Sequence, residues 1–176
     1  MSSPNTPNLR ELQKDEDLAR IIEAVQIHSK EKPVLVKIAP DLEDMQIKSI
    51  VDTARGLGCA GIVATNTTIS RPDVDGFMSQ SGGLSGLPLK SRSTEVIRLI
   101  ADYTNGEWPI IGVGGISNAD DAWEKITNGA SLVQVYSSMV FNGASVIKNI
   151  VNGLERKLKS KGLTELEQAI GLARGE

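Results

Sequence analysis

Four short aliphatic runs punctuate the chain, at residues 34–39, 61–65, 109–113 and 131–136. They are β-branched, brief and followed by polar or glycine-rich turns, the pattern of buried parallel strands. Around them apolar residues recur with the helical period. Leu18, Ile21, Ile22 and Val25 predict one buried face, and Ile47, Ile50, Val51 and Ala54 a second. Ala119, Ala122, Trp123 and Ile126 predict a third, and Ile147, Ile150, Val151 and Leu154 a fourth. A further helix over about residues 93–103 carries Val96, Ile97 and Ile100, and a weak terminal helix falls near residues 164–170. Asp41 and Asn118 are placed to cap helix starts, while Gly56, Gly58 and Gly129 stand where helices should stop.

The order is therefore a helix, then strand and helix four times over. Such alternation means right-handed βα units on a parallel sheet. Two architectures remain open on the pattern alone: a doubly wound sheet, and a (β/α)8 barrel of TIM type, of which about four βα units would form a partial barrel. A full barrel typically takes about 250 residues. One connection is out of proportion, running from Asn66 to about Arg92 and rich in Gly, Ser and Pro. Long connections of this kind in compact domains usually serve as lids or binding loops.

Composition narrows the picture. The chain has 176 residues, 40% of them hydrophobic and 3% aromatic, which suits one domain with an aliphatic core. A formal charge of -3 leaves no basic footprint for nucleic acid and no polybasic patch for an anionic membrane. Cys59 is the single cysteine and His28 the single histidine. That excludes an internal disulfide and makes a cysteine-built or histidine-built metal site an unexpected one, so no metal is predicted. Cys59 reads as a small buried hydrophobe and His28 as a surface helix residue. No run approaches the roughly 20 apolar residues that span a bilayer, and the start lacks a signal-peptide pattern, so the chain itself is expected to be soluble.

Candidate chemistry gathers at the strand ends, where parallel α/β folds bind ligands. Lys37 interrupts an apolar strand and must either snorkel or meet an anion. Asn66, Thr67 and Thr68 offer neutral donors and acceptors suited to a planar heterocycle. Gly114 and Gly115 leave open backbone amides before the Asn118 helix, an arrangement that attracts phosphate. The run Gly82-Gly-Leu-Ser-Gly86 offers a second such nest.

Six blocks, taken in order, resemble the class 2, quinone-linked dihydroorotate dehydrogenases. They are Ser2-Ser-Pro-Asn-Thr-Pro-Asn-Leu-Arg10, Val36-Lys-Ile-Ala-Pro-Asp-Leu42, Ala64-Thr-Asn-Thr-Thr-Ile-Ser-Arg-Pro72, Gly82-Gly-Leu-Ser-Gly86, Pro109-Ile-Ile-Gly-Val-Gly-Gly-Ile116 and Gly129-Ala-Ser-Leu-Val-Gln-Val-Tyr136. Serine before Pro4, where the soluble class places cysteine, points to the quinone-linked class.

The resemblance implies roles by position. Ser3 would be the base that takes a proton from C5 of dihydroorotate while hydride leaves C6 for the flavin, and Thr6 would relay the serine proton. Asn5, Asn66 and Thr67 would bind substrate. FMN would be the cofactor, with Lys37 and Thr65 beside its ring and with Gly86, Gly114, Gly115, Tyr136 and Ser137 around its phosphate and ribityl chain. Residues 3–12 would form a lid over orotate.

By the same resemblance, residues 1–176 would be the C-terminal half of the FMN-binding barrel domain, the N-terminal half and the membrane-associating helices lying outside them. The parent would reduce a quinone at the bacterial cytoplasmic membrane or the inner mitochondrial membrane. Open sheet edges allow a homo-oligomer or a complementing N-terminal half as partner. A rival reading is a non-catalytic half-barrel that self-associates and binds phosphate or flavin only weakly. A hydroxyacid-oxidising flavoprotein is disfavoured, because such sites use a histidine base and His28 is misplaced for one.

Overall fold

The computed structural model describes residues 2–5, 9–71 and 81–175. Its strands are β1 (Leu35–Ile38), β2 (Gly61–Ala64), β3 (Ile110–Val113) and β4 (Leu132–Gln134). Its helices are α1 (Asp15–Ser29), α2 (Asp44–Gly56), α3 (Lys90–Tyr103), α4 (Ala119–Thr127), α5 (Ser137–Asn142) and α6 (Ser145–Ser160). The strands pair in parallel in the order β1-β2-β3-β4.

Alternation along each strand decides what each face of the sheet does. Val36, Ile38, Ile62, Ala64 and Ile110 point to one side and join a single core with Leu18 and Ile22 of α1, Ile47, Ile50 and Val51 of α2, and Val96, Ile97 and Ile100 of α3. A second cluster packs Val133 of β4 against Ala122 and Ile126 of α4 and against Val146, Ile150 and Leu154 of α6. The opposite face carries Lys37, Val63, Ile111 and Leu132 in one register row. Strand order never reverses and the helices cover one face, whereas a doubly wound sheet reverses at a switch point and is covered on both. The sheet is the arc of a (β/α)8 barrel.

The predicted elements are present with shifted ends. The α3 helix begins at Lys90, after a 3-10 turn at Leu87–Leu89, and the terminal segment is a 3-10 turn at Leu166–Ala169. Helix α5 was not anticipated. Asn118 caps α4, its side chain accepting from the Asp121 amide. Asp41 does not cap α2. That end is closed by a capping box in which Glu43 and Gln46 satisfy each other's amides, leaving the Asp41 carboxylate to other donors.

Two helix faces are rotated from expectation. On α6 Ile147 and Val151 are exposed, and Val146, Ile150, Gly153 and Leu154 are buried instead. A Cβ at Gly153 would lie 2.2 Å from the Ala119 Cβ, so α6 turns its small residue toward α4 to let the two helices approach. On α4 the buried face runs through Asp121, Ala122, Lys125 and Ile126, while Ala119 and Trp123 are only half-buried. On α1 Val25 is exposed. Cys59 is buried and His28 exposed, as their patterns indicate.

Ile62 sits at the centre of the sheet with no exposed surface. Ile62→Ala is expected to lower stability by about 2–5 kcal/mol through lost burial and a residual cavity. Ile27→Ala, on an outward position of α1, should change it by less than about 0.5 kcal/mol. Urea denaturation of both variants checks the contrast, and equal losses would contradict the one-sided core.

Candidate active site

The carboxyl ends of all four strands open into one cavity of about 730 Å³, within the usual range for small-molecule sites. Lys37, Thr65, Asn66, Thr67, Gly86, Gly114, Gly115, Tyr136 and Ser137 line it together. Ser3 and Asn5 do not, and Thr6 lies outside the described residues. Local geometry explains the convergence. The Thr65 amide donates to the Val113 carbonyl at 2.9 Å, and the Asn66 amide to the Ile38 carbonyl at 2.8 Å, which extends β2 toward both neighbours just past its end.

The N-terminal segment is bound to that rim. Asn66 Nδ2 donates to the buried Ser2 hydroxyl at 2.9 Å, and its Oδ1 accepts from the Thr67 amide at 2.8 Å. Ser3 is half-buried, and its hydroxyl accepts from the Asn5 amide at 3.2 Å. Arg10 fastens the segment from outside. Its guanidinium donates to the Ser2 carbonyl at 3.3 Å, to Asp41 at 2.6 Å and to the Thr67 carbonyl at 2.8 Å. Asp41 in turn accepts from the Thr68 hydroxyl and from the Ile69 amide. Neither Arg10 nor Asp41 stood out in the sequence as a site residue, although both fall within blocks of the family pattern.

Lys37 projects from the open face of β1, exposed to solvent. Partial desolvation among its strand neighbours lowers its pKa from the ordinary lysine value. Among the described residues it has no hydrogen-bond or ion-pair partner. Ser138 is a second unsatisfied group: it lines the cavity, is buried, and its Oγ has no partner among the described residues. A buried hydroxyl without a partner is uncommon, and the pattern Tyr136-Ser-Ser gave no reason to prefer it over Ser137. The Ser137 hydroxyl instead meets that of Ser85 at 2.8 Å, which joins the long loop to the start of α5.

Gly114 and Gly115 have φ of 124° and 68°. A Cβ at Gly115 would lie 2.6 Å from the Lys90 Cα and 2.9 Å from its amide nitrogen. Glycine is thus required here by the close approach of β3 to α3 as well as by any ligand. Behind this turn lies a charged cluster. Lys90 Nζ pairs with Asp121 at 2.7 Å and with Glu124 at 2.9 Å. Hydrogen bonds to these carboxylates raise the Lys90 pKa. Burial pushes the Asp121 carboxyl up, but the Lys90 ammonium and two donors from Ser117 outweigh it and hold Asp121 below the usual range. Lys125 is fully buried, and its ammonium donates to the Lys90 carbonyl at 2.7 Å, to Ser93 Oγ at 2.5 Å and to Thr94 Oγ1 at 2.6 Å. Burial lowers its pKa to about 8. Among the described residues no cluster of three metal-ligating side chains occurs, and no helix is long and apolar enough to cross a membrane.

Comparisons with known proteins agree on one family. A family profile described as dihydroorotate dehydrogenase matches residues 1–158. A dihydroorotate dehydrogenase (quinone) of Trichodesmium erythraeum is 46% identical over 183 residues, covering 98% of this chain and 48% of the relative. One of Gloeobacter violaceus is 47% identical over 174 residues, with 98% and 49% covered. A crystal structure of DHODH from Eimeria tenella in complex with ferulenol superposes with a TM-score of 0.91 at 37% identity, covering 98% of this chain and 52% of that one. The chain spans about half the length of the curated relatives it matches.

Two outcomes follow from the polar networks. Arg10→Ala should cost about 1–3 kcal/mol, the usual scale for losing hydrogen bonds to a charged group. It should also free residues 2–5, read as accelerated amide hydrogen exchange there; unchanged exchange would remove Arg10 as their anchor. The second concerns pH. An unfolded chain keeps the Lys125 proton up to the ordinary 10.5 and the folded chain only to about 8. Between those values the unfolded state binds more protons, so stability from this group rises with pH; below them the cost of burying the charge is complete. Wild type should therefore gain stability relative to Lys125→Met across that window, and parallel urea-midpoint curves would contradict the depressed pKa.

Proposed function

The chain belongs to the dihydroorotate dehydrogenase family, and from that premise we propose that it forms one half of the active-site barrel of a quinone-linked enzyme. That enzyme oxidises dihydroorotate to orotate with FMN, in the synthesis of pyrimidines. The observation that carries the reading is the cavity at the strand ends that Lys37, Thr65, Asn66, Gly86, Gly114, Gly115, Tyr136 and Ser137 share. Its chemistry fits a phosphorylated flavin. Among the described residues it offers an unpaired ammonium at Lys37, an unpartnered buried hydroxyl at Ser138 and a glycine turn without side chains at Gly114 and Gly115.

When bound, FMN supplies the acceptor for the hydride that leaves C6 of dihydroorotate. The chain's own residues do the rest. Ser3 takes the proton from C5. A serine hydroxyl is a weak base at neutral pH, so a path for its own proton is needed, which is the role proposed for Thr6. Asn5, Asn66 and Thr67 orient the planar substrate through neutral donors and acceptors. Lys37 and Thr65 face the flavin ring, where a cation favours added negative charge. Residues 3–12 exclude water over the bound orotate, and Arg10 holds them in register with Thr67. A quinone acceptor places the whole enzyme at a bacterial cytoplasmic or inner mitochondrial membrane, with those contacts made by other parts of the protein.

A second reading, a self-associating half-barrel without catalysis, is favoured by one observation. Leu132, Val140, Phe141, Ile147 and Val151 are exposed beside the edge strand β4. Sedimentation with visible absorbance separates the two: a colourless dimer supports the fragment, and a yellow species formed with a complementing N-terminal half supports the enzyme.

Dihydroorotate-dependent quinone reduction, measured with this chain alone and with a segment supplying the remaining strands, tests the proposal directly. Orotate is expected only from the combination. Ser3→Ala in that combination should abolish flavin reduction at neutral pH and leave FMN content unchanged. Wild-type reduction rates in the variant remove Ser3 from the mechanism; a pair that binds FMN and never forms orotate removes dihydroorotate as substrate.

A further inference from the structure

Lys125 is the most deeply buried charge among the described residues. Among the described residues the ammonium meets no carboxylate at ion-pair distance. It is directed at the first turn of α3, at the Lys90 carbonyl and the Ser93 and Thr94 hydroxyls. The charged groups facing it are Lys90 from α3 and Asp121 and Glu124 from its own helix, and these three are already paired among themselves.

The Ser93 hydroxyl has one proton and two acceptors within reach, the Lys90 carbonyl and the Gly114 carbonyl, each at 3.1 Å. Lys125 resolves that competition. It satisfies the Lys90 carbonyl itself, at 2.7 Å, and occupies a lone pair of Ser93 Oγ, at 2.5 Å. The hydroxyl proton is left for Gly114. In a planar trans peptide the carbonyl of one residue and the amide of the next point in opposite directions. Fixing the Gly114 carbonyl toward Ser93 therefore turns the Gly115 amide away from α3. The other end of the turn is held in the same manner, because Asp121 accepts from the Ser117 amide at 3.0 Å and from its hydroxyl at 2.7 Å while pairing with Lys90. All four residues of the 114–117 turn line the cavity.

We propose that Lys125 is a positioning residue for an anion-binding turn: its buried ammonium commits the Ser93 hydroxyl to the Gly114 carbonyl and so aims the Gly115 amide into the cavity. The inference rests on the reading of that cavity as a site for a phosphorylated flavin. It assigns the buried lysine to recognition of the phosphate and to no other part of the ligand. Thr94 accepts from the same ammonium and donates to the Lys90 carbonyl at 3.0 Å, but among the described residues it has no bond to the turn, so it provides an internal control.

The test compares FMN with riboflavin, which lacks the phosphate, by fluorescence titration of the full chain. Wild type should prefer FMN. Lys125→Met and the smaller change Ser93→Ala should each weaken FMN by about tenfold or more, the scale of a lost hydrogen bond to a charged group. Riboflavin affinity should stay within about twofold, and Thr94→Val should keep the FMN preference. A general loss of structure would weaken both flavins alike and so would not give this split. Retention of the FMN preference in Lys125→Met and Ser93→Ala overturns the inference. A wild-type chain that takes up neither flavin, alone or with the complementing N-terminal half, counts against the flavin reading. In that event the Gly115 amide resonance decides the inference alone, displaced in both variants if it holds and unmoved if it is wrong.

Discussion

One-sided burial is the constraint on which this molecule turns. With strands paired in sequence order and the helices on one face, one side of the sheet packs against the helices, and the opposite face and the strand ends carry no helix layer. Polar groups placed there do not compete with the core. They must nevertheless be held still, because loops at strand ends carry few apolar contacts. Two networks provide the hold: Arg10 with Asp41 on the β1 and β2 side, and Lys90, Asp121 and Lys125 on the β3 side. Each commits a charged side chain to main-chain carbonyls, and those bonds fix direction more than they add stability.

The architecture was legible because its signals are local. Brief β-branched runs stood out against helical periodicity, and Lys37 stood out because a lysine between valine and isoleucine is anomalous. Thr65 and Asn66 were visible simply by ending a strand. The choice between a wound sheet and a barrel arc was not legible in the local pattern, since it depends on which side each crossover takes; the six family blocks alone pointed to the barrel.

The misreadings share one cause, which is that burial depends on partners the local sequence does not display. Ile147 and Val151 of α6 obey the apolar period, yet the helix is turned by the small Gly153 meeting Ala119. Asp41 has the composition of a cap, but the Glu43 and Gln46 box fills that office and Arg10 takes the carboxylate. Helix α5 follows β4 almost without a linker and is too short to show a period. Lys125 was the hardest to find, because a lysine every few residues is ordinary on a helix, and only the carbonyl and hydroxyls of α3 reveal that this one faces inward. Ser138 could have been suspected from its place beside Tyr136 and Ser137, but its missing partner is a fact of three dimensions.

The brevity of β4 has a consequence for what this edge could pair with. Three residues, Leu132–Gln134, present too little backbone to template a long ladder, which guards the edge against indiscriminate pairing. A strand added beside it would gain little from main-chain register, which leaves the contours of the exposed Leu132 and Phe141 as the larger feature of this edge. Discrimination at such an edge would be a matter of shape, with a mismatched guest turned away by bulk rather than by hydrogen bonds left unmade.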